Sequence, residues 1–115
     1  MPLIIDVASS ASQNTAFLQE LYTGKFQITQ MNLAPGEDIG VEVHDVDQML
    51  YVISGSGIAT LGESFDHIRR GDLVVVPAGT LHNIANSGDY DLALLSVYSS
   101  PQHSIGKILY AKTEH

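Results

Sequence analysis

The sequence predicts an all-β domain, an antiparallel sandwich or barrel, on three observations. Short β-rich runs recur at close, regular spacing. Turn-forming residues punctuate them at Ala34-Pro35-Gly36, Ser54-Gly55-Ser56-Gly57, Gly62-Glu63, Arg70-Gly71-Asp72, Pro77-Ala78-Gly79 and Asn86-Ser87-Gly88-Asp89. Helical periodicity is scarce, and many short strands at this spacing define a sandwich or barrel. The chain has 115 residues, 44% hydrophobic and 16% charged, which suits one domain with a packed core.

The elements follow in order. Leu3–Val7 is apolar and short, and reads as a first strand. Ser12–Leu21 can carry a turn of helix, but its aromatic and alternating second half favours a strand over Phe17–Thr23. Strands are then expected over Phe26–Leu33, Val41–His44, Met49–Ile53 and Ile58–Leu61. Ser64–Arg69, Leu73–Val76, Leu81–Ala85 and Leu92–Tyr98 complete the set, each bounded by the turns above. The tail after Ser99 is less patterned and is expected to fold over the domain or onto a partner chain. Gly55, Gly57, Gly71 and Gly79 suit turns with positive φ or tight corners, and Pro77 suits a strand end that needs no ladder N–H.

Composition excludes several classes. A net charge of -8 disfavours nucleic acid and anionic membranes, which both reward a basic face. Zero Cys removes disulfides, zinc–thiolate sites, iron–sulfur clusters and thiol nucleophiles. No apolar run is long enough to span a bilayer, and the N-terminus lacks the basic start and long apolar stretch of a signal peptide. A soluble, cytoplasmic domain is expected.

The chemistry sits in Val41-Glu42-Val43-His44-Asp45-Val46-Asp47-Gln48. In a strand, residues two apart share a face, so Glu42 and His44 project together. After a turn at Asp45-Val46-Asp47 the chain returns through Gln48, which can face the same side. A barrel built of two similar halves, opened by Gly36 and Gly71, brings His82 to them. Two imidazoles and one carboxylate with open positions follow the ligand logic of non-haem Fe(II) sites, and Mn, Ni, Co or Zn suit the same donors.

These residues fall into two spaced motifs that resemble those of small single-domain cupins of the cupin 2 type, in the RmlC-like jelly-roll superfamily. The first, G-x5-H-x-H-x3,4-E-x6-G, is matched in spacing by Gly36, Glu42, His44, Gln48 and Gly55. The second, G-x5-P-x-G-x2-H-x3-N, is met in full by Gly71, Pro77, Gly79, His82 and Asn86. Together they span Gly36 to Asn86. Asn14–Gly24 and Tyr98–His103 also resemble a subgroup of small bacterial cupins with Glu-Val-His followed by Asp-Gln, often labelled mannose-6-phosphate-isomerase-like. The resemblance implies one cupin domain over 1–115 with an antiparallel double-stranded β-helix, motif 1 at 36–55 and motif 2 at 71–86. It implies one divalent ion (Fe, Mn, Ni or Zn) held by Glu42, His44, Gln48 and His82. The usual cupin set is three His and one Glu. Here the carboxylate has moved to position 42 and an amide stands in its place. Metal affinity is expected to fall relative to that set, and the Gln48 amide NH2 can instead hold a metal-bound water or substrate oxygen.

Other polar residues are expected in lesser roles. His67 reads as a solvent-facing strand residue, His103 as an exposed loop residue and His115 as a disordered terminus. Asp45 and Asp47 read as solvated, and Asn86 as a tie for the turn at its strand end. Leu50, Val52, Ile84, Met31 and Leu33 are candidate pocket walls, with Gln27 and Tyr98 as polar groups among them. Met49 and Tyr51 point away, to the outside or to an interface.

The function expected is a metal-binding cupin with a barrel pocket for a small organic ligand, as an oxygenase or an isomerase/lyase-type metalloenzyme. The alternative is a non-catalytic binding or sensing module with a weakened or absent metal site. A phosphosugar isomerase is disfavoured, because none of the basic residues Lys25, Arg69, Arg70, Lys107 and Lys112 lies in the ligand-bearing strands. A homodimer is expected, because strands Leu3–Val7 and Phe17–Thr23 would otherwise expose edges.

Overall fold

Two antiparallel sheets face each other across one apolar core in the computed structural model, which describes residues 3–13 and 16–110. Helix α1 (Val7–Gln13) precedes strands β1 (Leu18–Thr23), β2 (Gln27–Leu33), β3 (Gln48–Ser54), β4 (Ser56–Leu61), β5 (Ser64–Arg69), β6 (Leu73–Val76), β7 (His82–Ala85), β8 (Leu92–Tyr98) and β9 (Ile108–Leu109). The larger sheet runs β6-β3-β8-β2-β1-β9 and the smaller runs β5-β4-β7. All pairings are antiparallel, as the all-β jelly-roll expectation requires.

Strand register sorts the barrel interior into layers. Opposed residues of an antiparallel pair share a face, so each row of the ladder is a row of side chains. One row of the large sheet reads Gln27, Tyr98, Gln48 and Val76 across β2, β8, β3 and β6. The next reads Thr29, Ser96, Leu50 and Val74, and the one below it Met31, Leu94 and Val52. The interior is therefore polar at one end and wholly apolar towards the other. There Leu33, Leu92, Ile84 and Ile39 close the core with almost no exposure. The candidate pocket walls Leu50, Val52, Ile84, Met31 and Leu33 all belong to this core.

Four sequence expectations need correction. Residues 3–6 form no strand, and the chain from Val7 is helical. Asp6 caps that helix, its Oδ1 accepting from Ser9 N at 3.0 Å and its carbonyl from Ser10 N at 2.9 Å. The β-propensity of Leu3-Ile4-Ile5 outweighed this cap in the sequence. Val41–His44 is not a full strand either. Glu42 forms an isolated bridge to His82 through both reciprocal bonds, each 2.9 Å. Upstream, Ile39 and Glu37 reach β7 and Asn86 by single bonds, so the segment lies along β7 as an irregular edge. Thirdly, the edge of β1 is not exposed: the tail folds over the domain, as expected, and its β9 pairs with β1. β1 thus has partners on both sides, and the edge expected to drive dimer formation is covered. The fourth correction concerns His103 and belongs to the site below. No helix among the described residues is long and apolar enough to cross a membrane.

Candidate metal centre

Glu42, His44 and His82 meet at the polar end of the barrel. Each offers a ligand atom, and the three atoms lie within 4.8 Å of one another. Two bonds of about 2.1 Å to one ion place ligand atoms about 3 to 4 Å apart, so closing the site on an ion would draw the most widely separated atoms together by about 1 to 2 Å. His82 is 2% exposed and comes from the first residue of β7. His44 and Glu42 are half-buried at the mouth, with Glu42 Oε2 3.7 Å from His44 Nε2. The two imidazoles stand with ring centroids 5.3 Å apart.

Hydrogen bonding prepares the His82 ring as an acceptor. His82 Nδ1 lies 3.0 Å from the Thr80 carbonyl, and a carbonyl only accepts, so that nitrogen carries the proton. Its Nε2 is left with a lone pair, buried and without a partner; His44 Nε2 is likewise unpartnered by any hydrogen bond. This is the arrangement in which a backbone carbonyl fixes the tautomer of a metal-binding histidine.

Gln48 opens β3 on the same inner row as Tyr98 and is 4% exposed. One hydrogen of its NH2 is used: Nε2 donates to Ser96 Oγ at 2.8 Å. The amide oxygen is the atom left without a partner. The structure therefore presents an unpartnered carbonyl oxygen beside an NH2 that has one further hydrogen to give. The His82 lone pair, the unpartnered His44 nitrogen and the Glu42 carboxylate together offer the kind of donors a cation takes.

The loops that carry the histidines are latched together. Gly79 N donates to the His44 carbonyl at 2.8 Å, from a backbone with φ of 80° that favours glycine. Asp47 Oδ1 accepts from Ala78 N at 2.9 Å, and Asp47 N donates to Ser99 Oγ at 3.0 Å. Asp47 is exposed, as expected, and its carboxylate also pins the turn before His82 to the turn after His44. Asn86 ties its strand end as expected, with Nδ2 donating to Leu33 O and Tyr90 O, both at 2.8 Å.

Tyr98 forms the wall beside the cluster. Its ring meets His44 edge-on at 5.6 Å. Burial holds its phenol above the usual tyrosine range; the Glu42 carboxylate adds to the rise, while the Ser96 and Thr29 hydroxyls oppose it. Gln27 is wholly buried, but it grips the tail rather than lining an open wall. His103 is not an exposed loop histidine. It is half-buried, and its ring lies edge-on to Tyr98 at 5.6 Å. Non-local contacts made this placement, and no local pattern in the tail announced it. His67 is exposed on β5, as expected. His115 lies outside the described residues.

A jelly-roll barrel with His, His and Glu converging at its polar end is the architecture of a cupin. Residues 29–98 match the family model described as Cupin domain, and the chain belongs to the cupin family. It is 40% identical over 121 residues to the uncharacterized protein YrkC of Bacillus subtilis (strain 168), covering 98% of this chain but 65% of that protein. The crystal structure of BH2720 from Bacillus halodurans superposes with a TM-score of 0.95 at 34% identity, covering 98% of this chain and 92% of that one. A mutant of the oxalate decarboxylase OxdC of Bacillus subtilis matches with a TM-score of 0.63 at 22% identity, over 69% of this chain and 22% of that one. That likeness is one of fold alone. The chain spans 65% of the length of YrkC.

Proposed function

We propose that this cupin binds one divalent metal ion through Glu42, His44 and His82, with the Gln48 amide oxygen as a fourth donor, and holds a small organic ligand beside it. The observation that carries this is the set of buried acceptors without hydrogen-bond partners: His44 Nε2, His82 Nε2 and Gln48 Oε1. Leaving such atoms unmade in a folded interior costs roughly 1 to 3 kcal/mol each, so three in one region call for a partner. A bound ion would supply Lewis acidity towards a ligand oxygen. The protein's own part is to orient the ligand. Tyr98 offers a phenol with the Thr29 and Ser96 hydroxyls against it, and the apolar rows below accept a hydrocarbon portion.

Ligands that carry a phosphate are disfavoured. Arg69 and Arg70 are exposed at the end of β5, Lys25 is exposed in the β1–β2 turn, and Lys107 sits in the tail. Phosphate recognition rests on such side chains, and none is at the cluster. Elemental analysis of untagged protein, followed by calorimetric titration with Mn, Fe(II), Ni and Zn, tests the proposal. One ion per chain supports it; no uptake of any of the four overturns it.

A homodimer through the outer face of the large sheet belongs to the same proposal. Phe26, Met49, Tyr51, Leu73 and Val75 are 41–58% exposed there. Register sets Val97, Met49 and Val75 in one outer row and Leu95, Tyr51 and Leu73 in the next. These rows contain no charge, although the chain carries -8 overall. A second copy would cover this face without desolvating a charge, which an oppositely charged partner would not exploit.

A further inference from the structure

The tail that carries His103 is held by one buried side chain. Gln27 Oε1 accepts from Gln102 N at 2.9 Å and from His103 N at 3.0 Å. Its Nε2 donates to His103 O at 2.7 Å and to Thr23 Oγ1 at 2.9 Å. Both donors and both lone pairs of the amide are used, three of the four on the backbone of two consecutive tail residues. Glu20 adds a second grip. Its Oε1 accepts from Gly106 N at 2.9 Å and its backbone N donates to Lys107 O at 2.8 Å, while Oε2 accepts from Thr23 Oγ1 at 2.8 Å. The segment is thus fixed over the polar end of the barrel, and β9 continues the anchoring along β1.

This fixes the His103 ring in a line of rings that ends at the cluster. His103 meets Tyr98 edge-on, Tyr98 meets His44 edge-on, and His44 faces His82. His103 Nε2 lies 3.4 Å from the Tyr98 hydroxyl. A buried phenol has one proton, two lone pairs and a rotor that points wherever its neighbours direct it. His103 takes one of those directions from the tail, and the Ser96 and Thr29 hydroxyls share the interior side, where each can turn to admit another partner.

We propose that His103 is a positioning residue. It holds the Tyr98 hydroxyl so that this group hydrogen-bonds an oxygen of a small carboxylate ligand bound at the Glu42–His44–His82 cluster. The inference rests on the metal reading of the preceding subsection. A carboxylate is the class that fits, because two neutral imidazoles and one carboxylate leave a divalent ion with net positive charge. Among the described residues no Lys or Arg stands at the cluster to recognise an anion, so a directed phenol supplies the polar contact.

The test uses Co(II)-loaded protein titrated with acetate as the probe, with affinity read from the visible Co(II) spectrum. Parent, Tyr98→Phe, His103→Phe and His103→Gln proteins are compared. All four should take up one Co(II) with the same affinity. Acetate should bind about tenfold more weakly to Tyr98→Phe and His103→Phe, the loss of one hydrogen bond to an anion. His103→Gln, whose amide can still reach the hydroxyl, should bind within about twofold of the parent. Unchanged acetate affinity in His103→Phe would overturn the inference, as would failure of Gln to rescue it. Loss of Co(II) uptake in His103→Phe would overturn it too, since the residue would then support the cluster itself. A parent that takes no Co(II) would instead overturn the metal reading, and this inference with it.

Discussion

Gln48→Glu is the sharpest single perturbation of the site. Gln48 is 4% exposed, and its only hydrogen bond runs from Nε2 to Ser96 Oγ at 2.8 Å. A carboxylate cannot donate, but the serine hydroxyl can turn and donate to it, so that bond survives. The cost is the charge. Without metal, a carboxylate at this depth faces no cation among the described residues, and burial raises its pKa. A rise of two to three units corresponds to roughly 3 to 4 kcal/mol of lost stability at neutral pH. The sign follows from linkage. The unfolded chain ionises this group near its ordinary value, about 4.3, while the folded chain resists. Parent and variant should therefore be about equally stable at pH 4, and the variant should fall behind as pH rises towards 7. Metal reverses this, because an anionic oxygen replaces a neutral one among the ligands. At a hundredfold excess over its dissociation constant, metal returns about 2.7 kcal/mol. Urea unfolding at pH 4 and pH 7, with and without Mn or Zn, together with calorimetric metal titration, reads every part of this. An apo variant as stable as the parent at pH 7, with the same metal affinity, would refute the placement of Gln48 among the ligands.

Other outcomes follow from the same geometry. Asn86→Ala removes three hydrogen bonds, to Leu33 O, Tyr90 O and Gly88 N. It should cost about 3 kcal/mol and lower the Tm by roughly 10 °C in a thermal melt. Asp47→Ala cuts the latch to Ala78 N and should weaken metal binding severalfold in calorimetry, although Asp47 touches no ion. Spectrophotometric titration at 295 nm should show one tyrosine ionising above the others, and Tyr98→Phe should remove it. Because the folded state keeps this phenol neutral, stability should decline as pH rises above about 10, and less steeply in Tyr98→Phe. If the outer face is the proposed dimer interface, the parent should sediment as a dimer, and paired Met49→Asp and Val75→Asp changes should leave a folded monomer.

What the sequence revealed and what it hid divide along physical lines. Strand period and turn chemistry are local, so β2 through β8 could be read nearly to their ends. The alternation Gln48, Leu50, Val52 inward against Met49, Tyr51 outward is visible in the letters themselves. The two motifs carried His44 and His82 to a common face because their spacing encodes the register of the barrel. Helix α1 was hidden by a β-branched run in front of a single capping Asp6. The tail was hidden for a different reason. Gln27 and His103 meet through hydrogen bonds across 76 positions, and such contacts leave no periodic trace. Asp47 looked like any acidic turn residue until its Ala78 partner was placed beside it.

The central claim is that His44, His82 and Glu42 form one metal centre, and the most direct measurement is metal stoichiometry in matched histidine variants. Parent, His82→Ala and His67→Ala proteins are saturated with Mn, Fe(II), Ni or Zn, desalted and analysed for metal per chain. The account predicts one ion in the parent, one in His67→Ala, whose side chain is exposed on β5, and none in His82→Ala. Equal loss in both variants, or no ion in the parent with any of the four metals, would contradict it.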